Sequence, residues 1–175
     1  MAGRLCPSPH SPPPTENMSP MKSPTTTPMK LLLALDDGPG ARRAVDEAIR
    51  IAREKGATLD ALFVIDATWD VFTGHDWLSG CNSRIGFLEY MQGLEEKAAA
   101  ESARAFLERR GDVPGELLTA PGDVVDVIRE HAARGYDLLV VSSPFTRGLE
   151  VMRDAVARLT RDAPCDVLLV RAAPE

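Results

Sequence analysis

The sequence predicts a single α/β domain built on a doubly wound, five-stranded parallel sheet with helices on both faces. Three observations carry that expectation. Four short runs, Leu31–Leu35, Leu59–Ile65, Leu138–Val141 and Val167–Val170, are aliphatic at almost every position. Continuous rather than alternating apolarity suits strands that are covered on both faces. Segments of helical periodicity separate these runs, so strand and helix alternate along the chain. Right-handed crossovers then make the strands parallel.

Each element has its own signals. Residues 1–28 hold eight of the fourteen prolines and few large aliphatics, too little apolar surface to offset the entropy of ordering. A disordered tail is expected there, or residues lying ahead of a later start at Met29; a Pro-rich recognition segment is the alternative. The domain proper is expected over 29–175. After strand one, Ala41, Ala44, Val45, Ala48 and Ala52 form a small-residue stripe that Gly56 closes as a helix cap. Strand two follows, then a long helix over 87–110 with Phe87, Met91, Leu94 and Ala98 on one side. A weaker third strand is expected at Glu116–Thr119. Gly122-Asp123 opens the next helix, with Asp123 as N-cap and Gly135 as stop. Leu149, Met152, Val156 and Leu159 mark a last helix, which ends before Pro164. The sequence contains no internal repeat.

Composition narrows the function classes. The 175 residues carry a net charge of −6 and a sequence pI near 5.1, which disfavours nucleic acid and anionic membrane surfaces as partners. No apolar run reaches the roughly 20 residues of a membrane span, and the first residues lack the apolar core of a secretory signal. Cys6, Cys81 and Cys165 form neither a CxxC pair nor an even framework, which fits a reducing, cytoplasmic setting.

In open α/β sheets ligands bind beyond the carboxyl ends of the strands, so the residues there are the candidates. They are Asp36-Asp37-Gly38-Pro39-Gly40, Asp66-Ala67, Ser142 through Gly148, and Arg171. Asp36-Asp37 suits a cation or ribose hydroxyls, or an acid capping the following helix. Ser142 and Ser143 suit anion donation, or a turn that satisfies its own backbone. His75, Asp76 and Cys81 fall short of a metal ligand set. His131 is expected at a helix surface, and Cys165 as a small buried hydrophobe. Five of the nine aromatics lie between residues 69 and 90. Of these, Trp69, Phe72 and Trp77 read as a lid or protein-binding loop, or as a satellite core over the sheet end. The last strand has no later chain to cover it, and an exposed aliphatic edge invites pairing.

Three stretches resemble the universal stress protein family. Leu32-Leu33-Ala34-Leu35-Asp36-Asp37-Gly38 is similar to its opening strand, and Gly135 through Ser143 to its fourth strand and turn. Ala163-Pro164-Cys165-Asp166-Val167-Leu168-Leu169-Val170 is similar to its closing phrase. The resemblance spans Met29 to Arg171 and implies strand order 3-2-1-4-5. It also implies a homodimer paired through the last strand, with Val167 and Leu169 at the edge.

ATP-binding members of that family carry G-x2-G-x9-G-[S/T] after strand four, where glycines let backbone N–H groups approach phosphate. Here the first two glycines fall on Ser142 and Phe145, and the third position falls near Asp154-Ala155. Phe145 would set a ring where backbone must approach, and Asp154 a carboxylate near phosphate. Asp36 matches the family's adenine and ribose acid, and Ile65 an adenine-contacting position. Ser142, Ser143, Arg147, Gly148 and Arg153 remain to meet a ligand.

The expectation is therefore a dimeric stress-response binding module that needs no cofactor and lacks ATP binding through this loop. A nucleotide-binding member that holds ATP with a degenerate loop is the alternative. A response-regulator receiver fails, since strand three has no Asp and strand five ends in Arg171 rather than Lys. An ATP pyrophosphatase fails too, because Asp36-Asp37-Gly38-Pro39 is not its Ser/Gly-rich turn.

Overall fold

The computed structural model describes residues 27–69, 81–149 and 154–173. In chain order the elements are β1 (Lys30–Leu35), α1 (Ala41–Lys55), β2 (Thr58–Asp66), α2 (Cys81–Arg110), β3 (Leu117–Gly122), α3 (Val124–Ala132), β4 (Leu138–Ser143), α4 (Ala155–Arg161) and β5 (Asp166–Arg171). The strands pair in parallel in the order β3-β2-β1-β4-β5. No helix among the described residues is long and apolar enough to cross a membrane.

The central strand shows why continuous apolarity was required. Successive side chains of a strand point to opposite faces. Leu31, Leu33 and Leu35 pack with Ala44, Ala48, Phe63 and Phe106 in one cluster, under α1 and α2. Leu32 and Ala34 pack with Leu62, Val64, Ile128, Val141 and Leu159 in the other, under α3 and α4. Both faces of β1 are thus core.

Local signals fix the helix ends. Gly56 adopts φ +60 and donates its N–H to the Ala52 and Arg53 carbonyls, closing α1 as the stripe predicts. Asp123 accepts from the Val125 and Asp126 N–H groups at the start of α3.

Several expectations shift. β3 runs Leu117–Gly122 rather than 116–119, because β2 continues to Asp66 and pairs with it through Gly122. Pro121 is tolerated there since β3 is an edge strand. α3 ends at Ala132, with Ala133 as its cap, three residues before Gly135. α2 begins at Cys81, not at 87. Its inward stripe is also rotated: Leu94 is 42% exposed while Glu95 is buried. Cys165 is half-buried rather than enclosed. The last helix starts only at Ala155, and Leu149 sits in a buried turn ahead of it. Residues 1–26 of the proposed tail, with His75, Asp76, Phe72, Trp77, Met152 and Arg153, lie outside the described residues.

Candidate functional site

Because all five strands run the same way, their carboxyl ends form one rim. The loops after β1, β2 and β4 meet there. Asp36, the first residue beyond β1, is 4% exposed. Its Oδ2 accepts from the Gly38 N–H at 3.1 Å, the Thr146 N–H at 3.1 Å and the Ser142 hydroxyl at 2.8 Å. Its Oδ1 is enclosed without a hydrogen-bond partner. Burial pushes the Asp36 carboxyl above its ordinary value, and the bonds from Thr146, Ser142 and Gly38 oppose that shift. The Asp37 N–H donates to the Thr146 carbonyl at 3.1 Å, which ties the same two loops again.

Arg147 is 3% exposed. Its Nε donates to the Val64 carbonyl at 3.0 Å and its Nη1 to Asp37 Oδ2 at 3.0 Å. Its Nη2 donates to Glu95 Oε2 on α2. The guanidinium carbon lies 4.1 Å from the centroid of the Phe63 ring, a cation–π contact. Burial pushes its pKa down, and Asp37, Asp66 and Asp36 pull it back up.

Asp66, at the end of β2, is the third buried acid. Its Oδ1 accepts from the Thr68 N–H and hydroxyl at 2.8 and 2.6 Å, and its Oδ2 from the Leu149 N–H at 2.7 Å. Gly148 lies against it with φ +52, and a Cβ there would stand 2.2 Å from Asp66 Oδ2. Both the backbone angle and the space require glycine at this position.

Three cavities open around this rim. One of about 550 Å³ lies between α1 and α2, with Asp36, Asp37, Arg42 and Glu101 in its wall. A second of about 430 Å³ is walled by Ile65, Asp66, Trp69, Met91 and Glu95. A third of about 410 Å³ is walled by Asp37, Trp69, Leu94, Glu95, Arg147 and Gly148. The Trp69 ring meets Phe87 edge-on, with centroids 6.3 Å apart.

The structure therefore brings Asp36, Ser142, Arg147 and Gly148 together, and places Ile65 half-buried in the neighbouring cavity beside Trp69. Ser143 stands aside: its carbonyl accepts from the Ala172 N–H at 3.1 Å. Val167 packs partly into the α3/α4 cluster, and Leu169 is 38% exposed on β5. No group of three His, Cys, Asp or Glu side chains among the described residues could hold a metal ion.

Three expectations are corrected by this geometry. Asp36 does not cap α1, whose N-cap is Gly40 without a side-chain bond; the acid turns to the β4 loop instead. Phe145 is not a ring in the way of phosphate, because it is buried in the α3/α4 core cluster. Asp154 caps α4 by accepting from the Ala157 N–H at 2.9 Å, so its carboxylate is spent at its own helix. Glu95 was missed. Its signal was present, since Leu88, Met91, Glu95, Ala98 and Phe106 recur at helical spacing with Glu95 in register.

Residues 28–171 match the model of the universal stress protein family. Universal stress protein YxiE of Bacillus subtilis strain 168 is 27% identical over 155 residues, covering 81% of this chain and 98% of that protein. Universal stress protein UspA from Lactobacillus plantarum superposes with a TM-score of 0.63 at 21% identity, over 82% of this chain and 97% of that one. A universal stress protein solved in complex with cAMP gives a TM-score of 0.54 at 20% identity, over 85% of this chain and the whole of the other. At those identities the two structures are likenesses of fold.

Proposed function

Because the chain belongs to the universal stress protein family, we propose that it acts as a cytoplasmic, dimeric stress-response binding module whose strand-four loop does not hold ATP. One observation carries this reading: four donor groups at the loop are already spent inside the protein. The Thr146 N–H and the Ser142 hydroxyl go to Asp36, the Leu149 N–H to Asp66, and the Arg147 guanidinium to Asp37 and Glu95. A phosphate would have to take these donors from buried carboxylates, and then meet those carboxylates as like charges. Dimerisation through β5 is part of the proposal. That strand pairs only with β4 among the described strands and leaves its outer edge open.

The second reading, nucleotide binding, draws on two points. One relative was solved with cAMP, and Asp36 lines a cavity of about 550 Å³. Isothermal titration of ATP, ADP, AMP and cAMP with Mg²⁺, after mass spectrometry of the purified protein, separates the two. The first reading expects no co-purified nucleotide and no binding tighter than about millimolar. A micromolar, one-to-one ATP isotherm would replace it with the second.

A further inference from the structure

Arg147 is surrounded as a bound ligand would be. Its contacts come from separate elements: Phe63 and Val64 on β2, Asp37 after β1, and Glu95 on α2. They engage the flat face with an aromatic ring, Nε with a carbonyl, and each terminal nitrogen with a different carboxylate. A lysine ammonium, a point charge on a flexible stem, cannot satisfy that set. We propose that the strand-end rim is a guanidinium-recognition site whose occupant is the chain's own Arg147. A small guanidinium or amidinium compound takes the same place when that side chain is absent.

The surrounding charge supports the assignment. Asp36, Asp66 and Glu95 are all buried, Asp37 is exposed, and Arg147 is the buried cation among them. With Arg147 gone, the acids are left without their buried cation, the condition under which another cation is drawn in. Access is also at hand. The cavity of about 410 Å³ is walled by Arg147, Asp37 and Glu95, and the one of about 430 Å³ reaches Glu95 from the other side. A flat cation entering by either route meets the groups that now hold Arg147.

The occupant also sets specificity. While Arg147 lies on Phe63, that ring is closed to any other planar group, and neutral or anionic rings would face Asp37 and Glu95 without a compensating charge. The site thus selects for positive charge, and its test needs no nucleotide, so it stands or falls apart from the ATP reading.

The experiment compares the full-length wild type with Arg147→Ala, adding ethylguanidinium or ethylammonium chloride at about 20 mM and following thermal unfolding. Ethylguanidinium should raise the Tm of Arg147→Ala by several degrees, leave the wild type unmoved, and outperform ethylammonium. A second variant, Arg147→Ala with Glu95→Gln, removes the buried acid along with its partner and guards against loss of folding. It should still respond, with ethylguanidinium affinity reduced about ten-fold. An equal shift in wild type and variant, equal effects of the two cations, or no shift in whichever variant folds would overturn the proposal.

Discussion

The rim of the sheet and its β5 edge are built on opposite principles. At the rim, polar groups are turned inward. Asp36, Asp66, Glu95 and Arg147 are all buried, and the Thr146 and Leu149 N–H groups end on carboxylates of the same chain. At the edge, an apolar group is turned outward: Leu169 is 38% exposed on a strand whose outer backbone has no neighbouring strand among the described residues. A surface meant to hold phosphate keeps free donors, and one meant to meet another protein keeps free apolar area and strand edge. In this chain the Thr146 and Leu149 donors at the place where a ligand is expected are turned to the protein's own carboxylates, whereas the strand at the place where a partner is expected is paired on one side alone among the described strands.

The edge should respond most. Leu169→Lys would set like charges against each other across a two-fold β5 pair, which costs several kcal/mol. Light scattering after size-exclusion chromatography should show a wild-type dimer and a monomeric variant, with the dimer Kd raised about a hundred-fold or more. A monomeric wild type at tens of micromolar would remove the edge from the comparison.

At the rim, Gly148→Ala should cost about 2 kcal/mol in urea unfolding, from the φ of +52 and the clash with Asp66. A neutral result would mean that the turn is looser than its contacts indicate. Ser142→Ala removes one of the donors to Asp36 Oδ2 while the Gly38 and Thr146 N–H groups remain, and should cost about 1 kcal/mol.

The smallest effect is a pH dependence. The folded-state pKa of Asp36 is raised above 3.8 by burial, so the folded protein holds that proton more tightly than the unfolded chain. Stability from this group is therefore present at low pH and falls as pH rises through the window from 3.8 up to the raised value. Asp36→Asn stays neutral throughout. The stability of the wild type minus that of the variant should decline across that window; a flat or rising difference would show that Asp36 ionises as easily in the fold as outside it.

The strands and the Asp123 and Gly56 caps were legible because each depends on a few neighbouring residues. Four aliphatic runs need two covered faces, and an N-cap needs one short acceptor. The rim was legible only in its inventory. Asp36, Ser142, Arg147 and Gly148 could be nominated from their place after strands, but not that they would satisfy one another. That outcome depends on Asp66, 82 positions before Gly148, and Glu95, 52 positions before Arg147, which meet those residues only through sheet and helix packing. Phe145 and Asp154 were misjudged for the same reason. The spacing of the family's glycine motif supplies their positions, whereas the direction each side chain takes is set by the core cluster and by α4.

The strand-four loop keeps the Thr146 and Leu149 N–H groups for the protein's own carboxylates. Amide hydrogen exchange of Thr146 and Leu149, followed by NMR with and without millimolar ATP·Mg²⁺, tests this most directly. Both amides should exchange slowly in the free protein, since they are bonded to Asp36 and Asp66, and ATP should change neither their rates nor their shifts. Fast exchange in the free protein, or protection gained on adding ATP, would contradict it.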